Sequence, residues 1–313
     1  MKQIAILLAT YNGERFLTEM ITSLENQTYK EFLCYIHDDG STDGTGEIIQ
    51  EWVSAHPDRY HVLEGTPRGS AKANFLWMLS QVDADYYMFS DQDDVWLPDK
   101  IAKSLEALSE IMPVDAQPAC AFTDMYVVDR ELHVISDSFI RYIDRDPKRI
   151  LLPQLLVENP AAGCTQIFNR TLRDLALQLR DADRIEMHDI WVLSLAAAFG
   201  DNNIAVIDAP LVYYRQHEKN EMGAVAESKV HKVFRNIRDF LTGKVWRSKK
   251  AYIRQARDLA EQLSYVEGLP EEQAKFLKEF SEISGQSKWK RIQYYHKNGI
   301  SKNHGTIWMY LWI

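Results

Sequence analysis

Three carboxylates stand within four residues, at Asp91, Asp93 and Asp94, directly after the apolar residues 86–89. Like charges this close repel one another unless a cation or hydrogen-bond donors neutralise them. Carboxylate oxygens are preferred ligands of Mg²⁺ and Mn²⁺, and such a cation can use its remaining positions for phosphate oxygens. The cluster therefore predicts a divalent-cation site that also holds a phosphorylated substrate.

A second acidic cluster, at residues 38–43, follows another strand-like segment. It resembles the start of an EF-hand loop, but the twelfth position is Gln50, where calcium binding needs a bidentate glutamate. We instead expect a turn in which Asp43 caps the next helix. The carboxylate of Asp39, at the end of the strand, could accept the imide N–H of uracil or thymine.

Three further polar residues are candidates for the chemistry. Asp189 opens an apolar helix, so it is either a helix-capping acid or a general base. Arg215 and His217 could bind a diphosphate or complete a metal shell, or they could form a structural pair at a domain junction. A phosphatase of the haloacid-dehalogenase type is disfavoured, because its nucleophilic Asp lies on the first strand and Asp91 follows three β-α units.

The elements that must position these residues alternate through the first half of the chain. The apolar patterns predict strands at 4–9, 32–36, 60–63 and 86–90, and helices at 14–25, 44–54 and 70–81, with another helix opening at Pro98. Such alternation predicts a mainly parallel sheet, with ligands bound outside the carboxyl ends of its strands. Polar clusters follow three of the strands, so we expect them to meet at one edge.

The pattern is looser in the second half. We expect a hairpin over 119–135, helices at 169–179 and 188–199, and extended segments at 204–207 and 211–214. From about residue 229 the chain is helical, basic and aromatic. We therefore divide it into an α/β catalytic domain, 1–220, and a C-terminal helical region, 221–313.

Composition limits the class of protein. With 313 residues, 46% of them hydrophobic, the chain can bury a full core. The net charge of −9 conceals an acidic body and a basic C-terminal region. We expect no nucleic-acid partner; the basic region fits either an anionic membrane surface or a helical subdomain or homodimer interface. Three scattered cysteines, with neither a signal peptide nor a membrane span, predict a cytoplasmic protein, docked on the inner face of the cell membrane if the tail binds lipid.

Several short motifs occur together, in order, over residues 1–220. They are Ala9-Thr10-Tyr11-Asn12-Gly13, Gln27-Thr28-Tyr29, Asp38-Asp39-Gly40-Ser41-Thr42-Asp43, Ser90-Asp91-Gln92-Asp93-Asp94-Val95-Trp96, His188-Asp189-Ile190-Trp191 and Tyr214-Arg215-Gln216-His217. In this combination the chain resembles the family 2 glycosyltransferases, and it is most similar to bacterial rhamnosyltransferases of surface polysaccharide synthesis. It lacks the Gln-x-x-Arg-Trp motif of the processive synthases.

The resemblance implies a GT-A fold, an inverting mechanism, a nucleotide-diphospho-sugar donor and Mn²⁺ or Mg²⁺. It also implies roles for individual positions: Ala9, Tyr11 and Asp39 around the base, Asp91 near the ribose, Asp93 on the metal, and Asp189 as catalytic base. To these we add Arg215 as a donor ligand and His217 as a metal ligand.

The expected function is therefore transfer of a sugar, L-rhamnose from dTDP-rhamnose, to a saccharide or lipid-linked saccharide acceptor. Two alternatives remain open: transfer of another hexose from a UDP-sugar, and a non-catalytic nucleotide-sugar-binding subunit. A sugar-nucleotide pyrophosphorylase is disfavoured, because residues 10–15 lack the glycine-rich, basic phosphate loop which that enzyme needs.

Overall fold

A nine-stranded sheet with helices on both faces organises the computed structural model, which describes residues 3–112, 117–217 and 244–303, with backbone alone for 244–250. The strands are β1 Ile4–Thr10, β2 Phe32–Asp38, β3 Tyr60–Val62, β4 Tyr86–Asp91, β5 Val95–Trp96, β6 Cys120–Val128, β7 Val134–Ser136, β8 Gln166–Asn169 and β9 Ile204–Arg215. The helices are α1 Leu17–Glu25, α2 Thr45–Ala55, α3 Ala71–Gln81, α4 Lys100–Ile111, α5 Phe139–Tyr142, α6 Leu152–Leu155, α7 Arg170–Ala176, α8 His188–Phe199, α9 Lys244–Ser264, α10 Glu271–Glu282 and α11 Lys288–Lys297.

The strand order is β3-β2-β1-β4-β8-β6-β9-β5, and β7 pairs with β6. The first four strands are parallel, as predicted, whereas β8 runs antiparallel between β4 and β6, and β5 runs antiparallel beside β9. The sheet is therefore mixed beyond β4. In the register of β1 and β4, Ala9 pairs with Asp91, which brings two of the predicted site residues side by side.

The central strands are buried on both faces, which explains their continuous apolar sequences. In β1, Ile4, Ile6 and Leu8 join the core under α1, α2 and α4. The intervening Ala5 and Leu7 join the core under α3 and α8. The C-terminal helices complete that second core with fully or nearly fully buried side chains, among them Leu259, Leu263, Leu277 and Phe280.

Some predicted boundaries differ from the structure. The first helix begins at Leu17 rather than residue 14, because Phe16 and Leu17 donate their N–H groups to the carbonyl of Gly13 in a turn. The two extended segments near residue 210 form one strand, β9, and the register with β6 shifts at Pro210, which cannot donate to the ladder. The predicted helix from 229 is described only from residue 244; residues 218–243 lie outside the described part.

Candidate active site

Asp93 and His217 form the polar centre of the site. Asp93 lies in the turn between β4 and β5, and His217 follows the end of β9; the Asp93 Oδ2 and His217 Nε2 atoms are 2.6 Å apart. The imidazole ring stacks on Phe16, with ring centroids 5.1 Å apart and planes tilted by 24°. An aromatic contact on one side and a carboxylate on the other fix the orientation of the imidazole.

Arg215 holds this pair in place. Its guanidinium is 1% exposed and donates from Nε to the carbonyl oxygen of Asp93 at 3.0 Å. The two terminal nitrogens donate to the carbonyl oxygen of Arg130 and to the carboxylate of Glu19, and the group lies 4.7 Å over the Phe16 ring. A guanidinium so buried and so fully bonded holds the backbone of Asp93 in place beside His217. This geometry favours the structural interpretation of Arg215 over our prediction of a donor ligand.

Asp94 lies beneath the pair, 1% exposed, and neither of its carboxylate oxygens has a close hydrogen-bond partner among the described residues. Burial, followed by repulsion from Asp93 and Asp91, raises the pKa of Asp94 well above its usual range. One oxygen each of Asp91 and Asp94 and the sulfur of Cys164 all lie within 4.8 Å of one another. Burial therefore favours the neutral form of Asp94 in the interior of the cluster.

The side chain of Lys100 is also completely buried and has no hydrogen-bond partner in the described residues. Its ammonium lies 3.6 Å from the centre of the Trp96 ring. Burial lowers the pKa of Lys100 to about 7, and the nearby Cys164 and Asp94 partly oppose that shift. The deep end of the cluster therefore holds a buried amine beside Asp94 and Cys164, whereas Asp93 and His217 lie at its outer end.

The outer residues fit a divalent cation. Asp93 and His217 offer an oxygen and a nitrogen that converge, and Asp91 adds a half-buried carboxylate at the end of β4. Carboxylate and imidazole ligands with open positions for phosphate oxygens suit Mn²⁺ and Mg²⁺. A bound cation would take the place of the direct contact between Asp93 Oδ2 and His217 Nε2.

Gln92, which lies between Asp91 and Asp93, links the loop after β4 to the loop after β1. Its Oε1 accepts the N–H of Tyr11 at 2.8 Å, and its Nε2 donates to the carbonyl oxygen of Tyr11 at 2.9 Å. The side chain thus continues the pairing of β1 with β4 beyond the last residue pair. The Tyr11 ring remains 56% exposed at the rim. Gly13 lies so close that a Cβ there would meet Gln92 Oε1 at 2.1 Å.

Asp39, predicted to bind the base, organises the loop before α3. Its carboxylate accepts the N–H of Arg68 and, at 2.9 Å, the N–H of Gly69. The Arg68 guanidinium stacks on the ring of Trp77 with its carbon 4.2 Å from the ring centroid, and the ring of His37 lies 4.3 Å from the same indole. Asp39 therefore fixes the backbone of Arg68, whose guanidinium stacks on the Trp77 ring beside the end of β2.

Asp189 lies in the first turn of α8, half-buried. Burial raises its pKa to about 7; the N–H groups of Ile190 and Gly163 oppose this shift, and repulsion from Glu186 adds to it. The Ile190 N–H donates to Asp189 Oδ1 at 2.6 Å. Asp189 therefore accepts a local backbone bond, as a capping acid would, while having the proton affinity of a general base at neutral pH.

His188, which precedes it, is a core residue. Its ring packs between Phe75 and Phe89, with ring centroids 4.4 and 4.6 Å away, and burial lowers its pKa to about 3. It is therefore neutral. A Cβ on Gly163 would lie 2.7 Å from His188 Nε2 and 3.6 Å from Asp189 Cβ, so only glycine fits at that position.

Residues 163 and 164 connect the two halves of the site. Gly163 borders Asp189, and the sulfur of its neighbour Cys164 lies within 4.8 Å of the carboxylates of Asp91 and Asp94. The carboxylates of Asp91 and Asp94 and the predicted base Asp189 thus lie on either side of one short turn of backbone. Sequence reasoning assigned Cys164 no place here, since a cysteine without metal-ligand spacing carries no signal of its own. Sequence reasoning likewise assigned no role to Gln92 or Lys100.

Comparisons with known proteins identify the family of the chain. The family model described as "Glycosyl transferase family 2" matches residues 5–175. The chain is 28% identical over 233 residues to dTDP-rhamnosyl transferase RfbG of Shigella flexneri, covering 69% of this chain and 74% of that protein. It is 26% identical over 187 residues to the putative teichuronic acid biosynthesis glycosyltransferase TuaG of Bacillus subtilis, covering 56% of this chain and 70% of the relative.

Solved structures show the same fold. TarS 1-349 of S. aureus in complex with UDP-GlcNAc superposes with a TM-score of 0.53 at 19% identity, covering 95% of this chain and 79% of that one. The mannosyltransferase PcManGT of Pyrobaculum calidifontis, in complex with GDP-Man and Mn²⁺, gives 0.50 at 16% identity, covering 94% and 73%. The chain spans 49% of another, longer TarS structure. The GT-A fold is confirmed, and the chain belongs to glycosyltransferase family 2.

Proposed function

We propose that the chain transfers L-rhamnose from dTDP-rhamnose to a saccharide or lipid-linked saccharide during polysaccharide synthesis. The observation that carries the proposal is the placement of the acidic cluster, through Asp91 and Asp94, on one side of the turn at residues 163–164, with Asp189 on the other. The choice of rhamnose draws support from the similarity to a dTDP-rhamnosyl transferase.

The donor would lie along the carboxyl ends of β1, β2 and β4. Tyr11 and Asp39 would border its base, with Ala9 behind them, and Asp91 would lie near the ribose. Asp93 and His217 would hold Mn²⁺ or Mg²⁺, which when bound neutralises negative charge on the departing nucleoside diphosphate. Arg215 would keep these two residues in place rather than touch the donor.

Asp189 would act as the general base. It would accept the proton of an acceptor hydroxyl while the hydroxyl oxygen attacks the anomeric carbon from the face opposite the diphosphate. The bond from that carbon to the diphosphate oxygen breaks, and its electron pair leaves with the nucleoside diphosphate. One carboxylate suffices, because the leaving group needs no second acid, and the product has inverted configuration.

Two other functions compete with this one. Transfer of another hexose from a UDP-sugar is favoured by the fold shared with a protein bound to UDP-GlcNAc. A non-catalytic nucleotide-sugar-binding subunit would not need a base with a pKa of about 7, so Asp189 disfavours it.

Nucleoside diphosphate release separates these functions. Purified protein with Mn²⁺ would be given dTDP-rhamnose, dTDP-glucose, UDP-glucose, UDP-GlcNAc and GDP-mannose in turn, each with a short polyprenyl-diphosphate-linked saccharide. We expect acceptor-dependent release from dTDP-rhamnose at least tenfold above the other donors. Preference for a UDP-sugar would contradict the rhamnose proposal and support transfer of another hexose. Binding of donors without acceptor-dependent release would establish the non-catalytic function.

We further propose that helix α11 docks the enzyme on an anionic membrane, where a lipid-linked acceptor would lie. Trp289 is 68% exposed between the exposed Lys288 and Lys290, and such a mixture suits the headgroup region, where each basic residue gains about 1 kcal/mol. Among the described residues no helix has both the length and the hydropathy for a membrane span. The other basic and aromatic segments of the predicted tail, at 229–243 and 304–313, lie outside the described part.

Co-sedimentation with vesicles containing phosphatidylglycerol tests this docking. A variant with Trp289→Ala, Lys288→Glu and Lys290→Glu should remain in the supernatant, while the wild type sediments at low salt. Lys275→Glu with Lys278→Glu, exposed on α10, is the charge-matched control and should sediment normally. If the wild type ignores the vesicles but runs as a dimer that the α11 variant disrupts, the helix is a homodimer interface instead.

A further inference from the structure

The loop at residues 178–187, which leads into the base-bearing helix α8, is held by the C-terminal helical region. Helix α8 begins without a side-chain cap at Met187, so its first turn depends on the loop before it. That loop contains no regular structure beyond the 3₁₀ turn Ala182–Arg184. Contacts that hold residues 178–187 in place therefore also help to hold Asp189 in place.

Helix α9 fixes the loop through charged groups. The Arg184 guanidinium donates to Asp258 Oδ1 at 2.5 Å and to Glu261 Oε1 at 3.0 Å, and its Nη2 lies 2.9 Å from Glu261 Oε2. A planar guanidinium between two carboxylates is held in orientation as well as in distance. The N–H of Asp181 also donates to Gln262 Oε1 at 3.0 Å, and Gln262 is 2% exposed.

The donor side of the site holds the same loop from the opposite direction. Lys72, in the first turn of α3, donates from Nζ to the carbonyl oxygens of Ala182 at 2.7 Å and Ile185 at 3.0 Å. Helix α3 itself follows the loop that Asp39 binds through the N–H groups of Arg68 and Gly69. Residues 182–185 thus lie between α3 and α9, tied to both.

These polar contacts are not needed to attach the C-terminal helices. Ala260 and Leu263 of α9, and Leu277 and Phe280 of α10, are completely buried in the core shared with α8. Burial of that kind outweighs ion pairs whose side chains are 18–35% exposed, as those of Arg184, Asp258 and Glu261 are. The ion pairs therefore act mainly on the loop, together with the contacts from Lys72 and Gln262.

We infer that Asp258 and Glu261, acting through Arg184, are positioning residues for Asp189, so that the C-terminal helical region sets the geometry of proton removal. This inference rests on the proposed function, since it assigns Asp189 the role of base. The polar contact that connects this loop to the donor side, among those of the described residues given above, is the one from Lys72. Loss of the pair should therefore affect turnover of bound substrate more than donor binding.

The test is a double-mutant cycle. Asp258→Asn with Glu261→Gln removes both charges without changing shape, and Glu279→Gln with Glu282→Gln removes two exposed charges from α10 as the control. Turnover and KM would be measured with Mn²⁺, dTDP-rhamnose and a polyprenyl-diphosphate-linked saccharide, and thermal melting would check the fold. We expect kcat to fall roughly 10- to 100-fold with the donor KM within about twofold, and the control to match wild type.

The same pair of substitutions in an Asp189→Asn background decides the cause. If the pair acts through Asp189, it should cost no further activity there. An equal loss in both backgrounds, or an unchanged kcat in the wild-type background, overturns the inference while the base assignment stands. If Asp189→Asn alone keeps wild-type turnover, the base assignment fails and the positioning role fails with it.

Discussion

Asp93 and His217 lie 2.6 Å apart although 124 residues separate them in the chain. They meet because β9 runs beside β5, which places the residues after β9 against the turn between β4 and β5. Arg215, two residues before His217, donates a hydrogen bond to the carbonyl oxygen of Asp93 and so holds the two chain segments together. A carboxylate and an imidazole are thus brought together by tertiary structure.

Asp93→Asn should abolish transfer while leaving the fold intact. The substitution would remove a proposed metal ligand. It also removes one of three like charges, which should offset the lost pairing with His217, so the free energy of unfolding should change little. Nucleoside diphosphate release with Mn²⁺ measures activity, and thermal melting measures stability. Asp58→Asn, an exposed acid outside the site, serves as the control. EDTA should inactivate the wild type, with recovery in Mn²⁺ or Mg²⁺; full activity of the chelated enzyme would contradict the metal assignment.

The pH dependence of kcat should report Asp189. A base must be deprotonated to accept a proton, and the pKa of Asp189 is raised to about 7. At saturating donor and Mn²⁺, kcat should therefore reach a plateau above pH 8 and fall about tenfold per pH unit well below pH 7. Asp189→Asn should lower kcat by roughly 10²–10⁴-fold and remove that dependence. Weaker donor binding with normal kcat would make Asp189 a capping residue instead.

Gly163→Ala should disturb the packing around Asp189 while leaving its carboxylate in the protein. The added methyl group would lie 2.7 Å from His188 Nε2, and the buried His188 cannot retreat between its two phenylalanines. We expect a loss of about 1–3 kcal/mol in the free energy of unfolding and a lower kcat. Gly46→Ala is the matched control, because it meets nothing within 4 Å in α2 and should stabilise that helix slightly. The free energy of unfolding in urea and kcat are measured for both variants. If Gly163→Ala changes neither quantity, the packing argument is wrong.

Lys100→Met should change the pH dependence of stability. The pKa of Lys100 is about 7 in the folded protein and about 10.4 when unfolded. Between pH 7 and 10 the unfolded state therefore binds more protons, so this lysine makes the free energy of unfolding rise with pH. The wild type should gain stability relative to Lys100→Met on going from pH 7 to pH 9 in urea unfolding. Lys103→Met, an exposed lysine of the same helix, should show no such gain.

Convergence of the polar clusters was predictable from local patterns. Apolar runs of strand length, each followed by a helix, predict parallel strands whose carboxyl ends share an edge. That argument predicted that the residues after β1 and the cluster at Asp91 share one edge, and the register of β1 with β4 pairs Ala9 with Asp91 directly. It needs only the order of elements along the chain. The family and the enzyme class were instead reached through the resemblance of motifs within residues 1–220.

Contacts between distant side chains were not predictable. Gln92 pairs with the backbone of Tyr11, and nothing in the composition of an Asp-Gln-Asp segment distinguishes that from a solvent-exposed amide. The antiparallel insertion of β8 depends on how the middle of the chain returns to the sheet. Lys100 looks like an ordinary surface lysine of a helix, and only its depth in the fold gives it a lowered pKa.

The late position of β9 has a consequence for synthesis of the protein. Strand β5 has only two residues, and its described sheet partner, β9, ends more than a hundred residues later. A nascent chain on the ribosome can therefore pair β1, β2 and β4 early, but Asp93 and His217 cannot meet until residue 217 has left the exit tunnel. The pair that we propose as the cation site would thus form only when most of the chain has been made.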